Sequence, residues 1–284
     1  LQEPFDAIFL CVKSYDTDWA VQFIRPYLAP GGYVVSAQNS INDDRVAAIV
    51  GWPRSVGCIV TFGAEMQEPG QVRRTSDNTR LSSKVGEPSG LVTPRVEALT
   101  QALGALGPSK PTTNLWGERW SKLGTNAMAN ALAGLTGLTS AEIRETPDVR
   151  AVSIRVAAEV VTVAQALGVA IEPISTIPAQ LFVDSLEDGA VREEVEVRLM
   201  EWGKGLGAGR PSLAQDVAKG RRTEVEELNG LVVRKGEEVG VPTPVNRAVL
   251  GVTKRVERGE LEPDLSNIHL VETGSQTKPG PANE

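Results

Sequence analysis

Three polar side chains recur at every fourth position of the stretch WSKLGTNAMAN, residues 120–130: Lys122, Asn126 and Asn130. In an α-helix a step of four residues turns ~400°, so the three spread over about 80° of circumference and share one face. Leu123, Ala127, Met128, Ala129, Ala131 and Leu132 surround them, with Trp116 and Trp120 upstream, so much of this helix is expected to be covered. Burying an amide without a partner costs a few kcal/mol and burying an ammonium costs more. These groups therefore need either a polar substrate or a satisfied network between helices. The lysine has two chemical options: a Schiff base, or donation of a proton to an oxygen that gains charge when hydride arrives at a carbonyl carbon. Two amides on the same face favour the second. They can orient the hydroxyl, carbonyl and carboxylate groups of a small acid while the ammonium balances the developing alkoxide.

Four further residues stand where chemistry is plausible. Lys13 closes the apolar run FLCVK and Asn39 closes VVSAQN, and ligands of open parallel sheets bind beyond the carboxyl ends of strands. The plainer account makes Lys13 a solvated strand end and Asn39 a turn former. The segment SLAQDVAKGRRTEVEELNG, residues 212–230, supplies Ser212 and Glu224. Ser212 with Gln215 also reads as a capping box, and Glu224 as a carboxylate that starts a helix, favoured there by the helix dipole. The single histidine, His269, sits near the C-terminus, so acid–base chemistry must come from Lys, Asp, Glu or Tyr. Cys11 and Cys58 lie in apolar strand-like runs without CxxC spacing and read as buried filler, with no metal site indicated.

The elements that must position these residues change character along the chain. Residues 5–13, 14–28 and 33–39 read as strand, helix, strand, a unit of a parallel sheet with right-handed crossovers. A helix over 43–50, a strand in SVGCIVTFGA, shorter strands between 71 and 86 and an amphipathic helix over 94–105 follow. From residue 114 long helical patterns take over. TPDVRAVSIRVAAEVVTVAQALG opens on Thr146 as N-cap with Pro147 at the first helical position and stops at Gly168. TEVEELNGLVVRKGEEVG stops at Gly240, with Pro242 and Pro244 beyond. Residues 180–210 are expected to form a charged helix and then a loop at GKGLGAGRP. Residues 265–284 lose apolar periodicity and read as a flexible tail. With 284 residues, 41% hydrophobic content and a net charge of -7, the chain suits two domains and argues against a nucleic-acid footprint. No apolar run approaches the ~18 residues of a membrane span, and a cytoplasmic setting is the default expectation.

Taken in order, DAIFLCVKSYDT, QNSIND, GAEMQEPGQV, WSKLGTNAMAN, GRRTEVEELNGLVV and GVPTPVN resemble the ketopantoate reductase family over residues 5–250. The resemblance implies NADPH-dependent reduction of 2-dehydropantoate to pantoate. It implies an α/β Rossmann-type NADP-binding domain, partial over residues 1–112, and an all-helical substrate and catalytic domain over 113–264, with the active site between them. By that analogy Lys122 is the proton donor, Asn126 and Asn130 bind polar groups of the substrate and Ser212 holds its carboxylate. Lys13 and Asn39, with the backbone near Ala64, line the nicotinamide side, while Glu224 contacts cofactor or substrate hydroxyls and steadies Lys122. The implied partner is a small 2-oxo acid, with no metal, nucleic acid or membrane, and a homodimer is admitted. Two departures stand out. The family's GxGxxG stretch belongs upstream of residue 1, so the sequence reads as a fragment or as one whose start was set too late. Ser40 stands where the family usually has glycine, at a turn that would favour glycine if its φ is positive. The rival readings are a paralogue acting on another 2-oxo acid and a non-catalytic dinucleotide-binding or structural protein.

Overall fold

Short apolar runs bounded by turn residues make the strands of the first part of the chain, and they arrange as the strand, helix, strand pattern requires. The computed structural model describes residues 3–75, 81–204 and 209–276. It divides into two units, Leu1–Arg119 and Trp120–Glu284. In the first, β1 (Phe5–Leu10), α1 (Thr17–Ile24), β2 (Leu28–Ser36), α2 (Asp43–Val50) and β3 (Ser55–Val60) follow one another. A hairpin of β4 (Ala64–Glu68) and β5 (Gln71–Arg74) leads to β6 (Ser83–Gly86), α3 (Pro94–Leu103) and β7 (Ser109–Pro111). The five-stranded sheet has the order β1-β2-β3-β6-β7. Strands β1, β2 and β3 are parallel, and β6 turns antiparallel against β3. The parallel strands thus bring the carboxyl ends of β1, β2 and β3 to one edge, where Lys13 and Asn39 follow.

Both faces of this sheet are covered. Leu10, Val34, Val21, Val46 and Val50 pack on one side, and Val35, Val56, Cys58, Val85, Val96 and Leu99 on the other, which is why the central strands read as continuous apolar runs. Cys58 is buried as expected, and desolvation pushes its thiol pKa up to about 11. Cys11 departs from expectation: it is exposed, because β1 ends at Leu10 and the chain turns out of the sheet there.

The second unit is helical. Helix α4 (Leu115–Ala127) leads into it, followed by α5 (Asn130–Thr136), α6 (Glu142–Glu145), α7 (Pro147–Ala166), α8 (Ala179–Asp184), α9 (Gly189–Gly203), α10 (Ser212–Ala218), α11 (Asn229–Val239), α12 (Pro244–Glu257) and α13 (Asn267–Gln276). The division falls inside α4 rather than in the loop before it. The reason is Arg119, whose guanidinium donates to the carbonyls of Ser36, Gln38 and Cys58 and pairs with Asp43, all in the sheet unit. Helix α7 starts with Thr146 and Pro147 and ends before Gly168, which has φ +75°. Val149, Val152, Val156, Val160 and Val161 of α7 are all fully buried, so it is covered around most of its circumference, as a central core helix must be.

Two expectations fail here. Residues 267–276 are not a tail but α13, whose Ile268 and Val271 are buried, while Asn267 Nδ2 donates to Leu135 O at 2.8 Å. The weak periodicity of the segment hid a helix held by two apolar anchors and one amide. Residues 277–284 of the expected tail, and 205–208 of the expected loop, lie outside the described residues. Glu224 does not start a helix either. It begins a turn over 224–228, with Leu228 N donating to Glu224 O at 2.9 Å, and α11 starts only at Asn229.

Candidate active site

Lys122 and Asn126 lie one turn apart on α4, as their spacing dictates. Asn126 is buried at 3% exposure, and Lys122 is half-buried. Burial pushes the Lys122 ammonium below the usual lysine range, since a desolvated site disfavours the charged form. Among the described residues no carboxylate forms an ion pair with it.

The third member of the row stands apart from the helix that the spacing predicts. Helix α4 stops at Ala127, Ala129 leaves helical geometry at φ -127° and ψ -49°, and Asn130 is the first residue of α5. Within the break Ala129 N donates to Asn126 O at 3.3 Å, an i to i−3 contact. The carbonyls released by the break are taken by side chains: Asn229 Nδ2 donates to Ala127 O at 3.3 Å, and Ser153 Oγ donates to Met128 O. Asn130 therefore does not continue the face of Lys122 and Asn126 in simple helical register.

What Asn130 gains is Ser212. Asn130 Nδ2 donates to Ser212 Oγ at 3.4 Å, joining two sequence-predicted residues 82 positions apart. Ser212 is the first residue of α10, behind Pro211 at the N-cap, and Gln215 N donates to Pro211 O at 3.1 Å rather than to the Ser212 hydroxyl. Gln215 turns instead to Arg210 O at 2.9 Å, so the capping-box account fails and the hydroxyl is left to Asn130. Helices α5 and α10 approach closely because Gly134 has no side chain; a Cβ there would lie 2.1 Å from Leu213 Cδ2. Glu224 is buried at 5% exposure.

In the sheet unit, Lys13 and Asn39 occupy the loops after β1 and β2. Both are half-buried, and their loops are tied to each other. Ser14 Oγ donates to Asn39 O at 2.9 Å, Asn42 Nδ2 donates to Asn39 O at 2.9 Å and to Ser14 Oγ at 3.1 Å, and Gln38 Nε2 donates to Val12 O at 2.9 Å. Ser14, Gln38 and Asn42 belong to the quoted motifs, yet sequence reasoning passed over them in favour of the more reactive types beside them. Ser40 adopts φ +68°, a left-handed conformation that costs an L-residue roughly 1–2 kcal/mol and that glycine takes freely. Ala64 opens β4 and pairs with Arg74 in the hairpin. A cavity of about 600 Å³ in the same unit is lined by Trp52, Trp116, Glu87 and Arg95. It opens near the start of β3 and the end of antiparallel β6, at the opposite end of the sheet from Lys13 and Asn39. Its charges are already spent on each other, Arg95 donating to both oxygens of Glu87 at 2.7 and 2.6 Å. It is not where a 2-oxo acid would find an open cation.

Among the described residues no group of three His, Cys, Asp or Glu side chains could hold a metal ion, and no helix is long and apolar enough to cross a membrane. A lysine with lowered pKa, a buried amide one turn on and an amide–hydroxyl pair from two further helices suit the binding and protonation of a small oxo acid. The family description "Ketopantoate reductase PanE/ApbA C terminal" matches residues 114–257, and "Ketopantoate reductase PanE/ApbA" matches residues 1–87. The chain is 29% identical to a 2-dehydropantoate 2-reductase of Archaeoglobus fulgidus, over 90% of this chain and 78% of the relative. It resembles the crystal structure of a PanE/ApbA family ketopantoate reductase from Ralstonia eutropha JMP134 with a TM-score of 0.72 and 28% identity, covering 91% of this chain and 78% of the other. A ternary structure of D-mandelate dehydrogenase with NADH and anilino(oxo)acetate shares the fold with a TM-score of 0.74, at 19% identity and the same coverage of 91% and 78%. With one description spanning half the chain and beginning at the lysine helix, and another spanning the parallel strands, this chain is a member of the ketopantoate reductase family of oxidoreductases.

Proposed function

We propose that the chain reduces a small 2-oxo acid, 2-dehydropantoate in the first instance, to the 2-hydroxy acid with NADPH. The observation that carries the reading is Lys122: a lysine whose burial lowers its pKa, one turn from buried Asn126, in the same helical unit as the Asn130–Ser212 pair. NADPH, when bound, supplies the hydride that reaches the 2-oxo carbon. The chain's own residues do the rest. Lys122 Nζ donates its proton to the carbonyl oxygen as that oxygen becomes an alkoxide, and its charge stabilises the oxygen beforehand. Asn126 and Asn130 orient the carbonyl and hydroxyl groups, and Ser212 Oγ donates to the carboxylate. Glu224 meets cofactor or substrate hydroxyls and keeps Lys122 in place.

For the nicotinamide side the residues present are of the right kind. Lys13 and Asn39 end adjacent parallel strands, and their loops are fixed by Ser14, Gln38 and Asn42, so a ring carboxamide would meet donors on a rigid edge. The backbone at Ala64 completes that side. A cytoplasmic homodimer completes the reading, and sedimentation of the purified chain tests the dimer. The decisive experiment follows NADPH oxidation with 2-dehydropantoate and a panel of other 2-oxo acids, with NADH compared. Lys122→Ala is expected to lower the rate about 100-fold or more, the scale of losing a general acid. An unchanged rate in a folded Lys122→Ala protein removes the lysine from the mechanism.

A further inference from the structure

The break between α4 and α5 has no local cause. The sequence NAMANALA, residues 126–133, contains neither proline nor glycine and is rich in alanine, the strongest helix former. Side chains from elsewhere in the helical unit hold the carbonyls at the break. Asn229 and Asn246 are fully buried. Asn229 Nδ2 donates both to Ala127 O at 3.3 Å and to Asn246 Oδ1 at 2.9 Å. Asn246 Nδ2 donates to Val156 O at 3.2 Å and to Glu159 Oε2 at 2.7 Å. Glu159 in turn accepts from the backbone N–H groups of Val245 and Asn246, at 2.8 and 2.9 Å, in the first turn of α12. On the other side of the break, Ser153 of α7 donates to Met128 O. Each amide nitrogen faces two acceptors, so the direction of every bond in the chain from Glu159 to Ala127 is determined.

We infer that the Glu159–Asn246–Asn229 chain, with Ser153, is a positioning device that breaks the lysine helix so that Asn130 meets Ser212 and sets the substrate-binding register. The inference rests on the proposed reduction of a 2-oxo acid. None of the four residues needs to touch substrate; they act through the carbonyls of Ala127 and Met128, the two residues between Asn126 and the non-helical Ala129. A buried polar chain of this length is costly to keep, the more so because Asn229 Oδ1 has no hydrogen-bond partner, and an apolar filling would leave an alanine-rich helix free to run through. Straightened, α4 and α5 would carry Asn130 back into register with Lys122 and away from the bond to Ser212.

Asn229→Leu keeps the branched shape of the side chain and removes the donor, and Ser153→Ala weakens the same break from its other side. In folded protein, with kinetics normalised to the cooperatively unfolding fraction, each variant is expected to raise the KM for the 2-oxo acid. The rise is about tenfold for Asn229→Leu and smaller for Ser153→Ala, and the KM for NADPH stays within about twofold. Amide hydrogen exchange at residues 130–132 is expected to slow in Asn229→Leu as the two helices fuse, an effect that loss of stability alone would reverse. Unchanged substrate KM with only a lower melting temperature, or exchange at 130–132 that does not slow, overturns the inference. If the unaltered chain reduces no 2-oxo acid, the functional reading fails by itself, and the exchange pattern still decides the role of the network.

Discussion

In the proposed reaction Lys122 sets folding against catalysis. Its surroundings lower its pKa, so between that lowered value and the usual lysine value the unfolded chain binds more protons than the folded one, and stability rises with pH. Below the folded pKa both states hold the proton, and the cost of the buried charge is present in full. Lys122→Met is therefore expected to melt higher than the unaltered chain near neutral pH, with the gain shrinking as pH rises towards the usual lysine value. Thermal unfolding across pH checks this, and a lower melting temperature for the variant at neutral pH would refute it. Catalysis runs the other way. With Lys122 as the proposed proton donor, reduction needs the protonated amine, so its rate should fall as pH rises through the Lys122 pKa, at a lower pH than an ordinary lysine would allow. A pH–rate profile that stays flat until the usual lysine value contradicts the assignment.

At the scale of elements, the close approach of α5 and α10 keeps Ser212 beside Asn130. Gly134 permits that approach, because a Cβ at this position would collide with Leu213, itself buried at 1% exposure. Gly134→Ala gains helix propensity of up to about 1 kcal/mol, yet overpacking a core contact costs typically ~1–3 kcal/mol, and collision is expected to win. The variant should unfold at lower urea concentration and show a several-fold higher KM for the 2-oxo acid, as α10 shifts and the 3.4 Å contact opens. Equal stability and equal KM would show that Leu213 simply rotates away.

At the scale of the whole molecule, the last described helix closes the helical unit. Asn267 Nδ2 and Asp264 N both donate to Leu135 O, near the end of α5, at 2.8 and 3.1 Å, and Ile268 and Val271 are buried. Ending the chain after Pro263 exposes their partners and orphans that carbonyl. The loss is expected to exceed about 2 kcal/mol, since full burial of each aliphatic side chain contributes roughly 1.5–3 kcal/mol. Urea unfolding of the two lengths measures it, and coincident midpoints would mean that α13 stabilises nothing.

Local pattern alone determined most elements and the types of the reactive residues. Apolar runs marked β1, β2 and β3, Pro147 and Gly168 bounded α7, and four-residue spacing placed Lys122 and Asn126 one turn apart. These features depend on residues within a few positions of each other, which is what periodicity and capping report. The tertiary structure decided where the lysine helix breaks, that Ser212 serves Asn130 rather than its own helix, that α11 begins at Asn229, and that Arg119 keeps the first turn of α4 with the sheet. The partners responsible lie far off in sequence: Ser153 acts on Met128 across 25 residues, Arg119 on Asp43 across 76 and Asn229 on Ala127 across 102. A buried donor must find an acceptor wherever the fold brings one, and no local window of sequence records that distance.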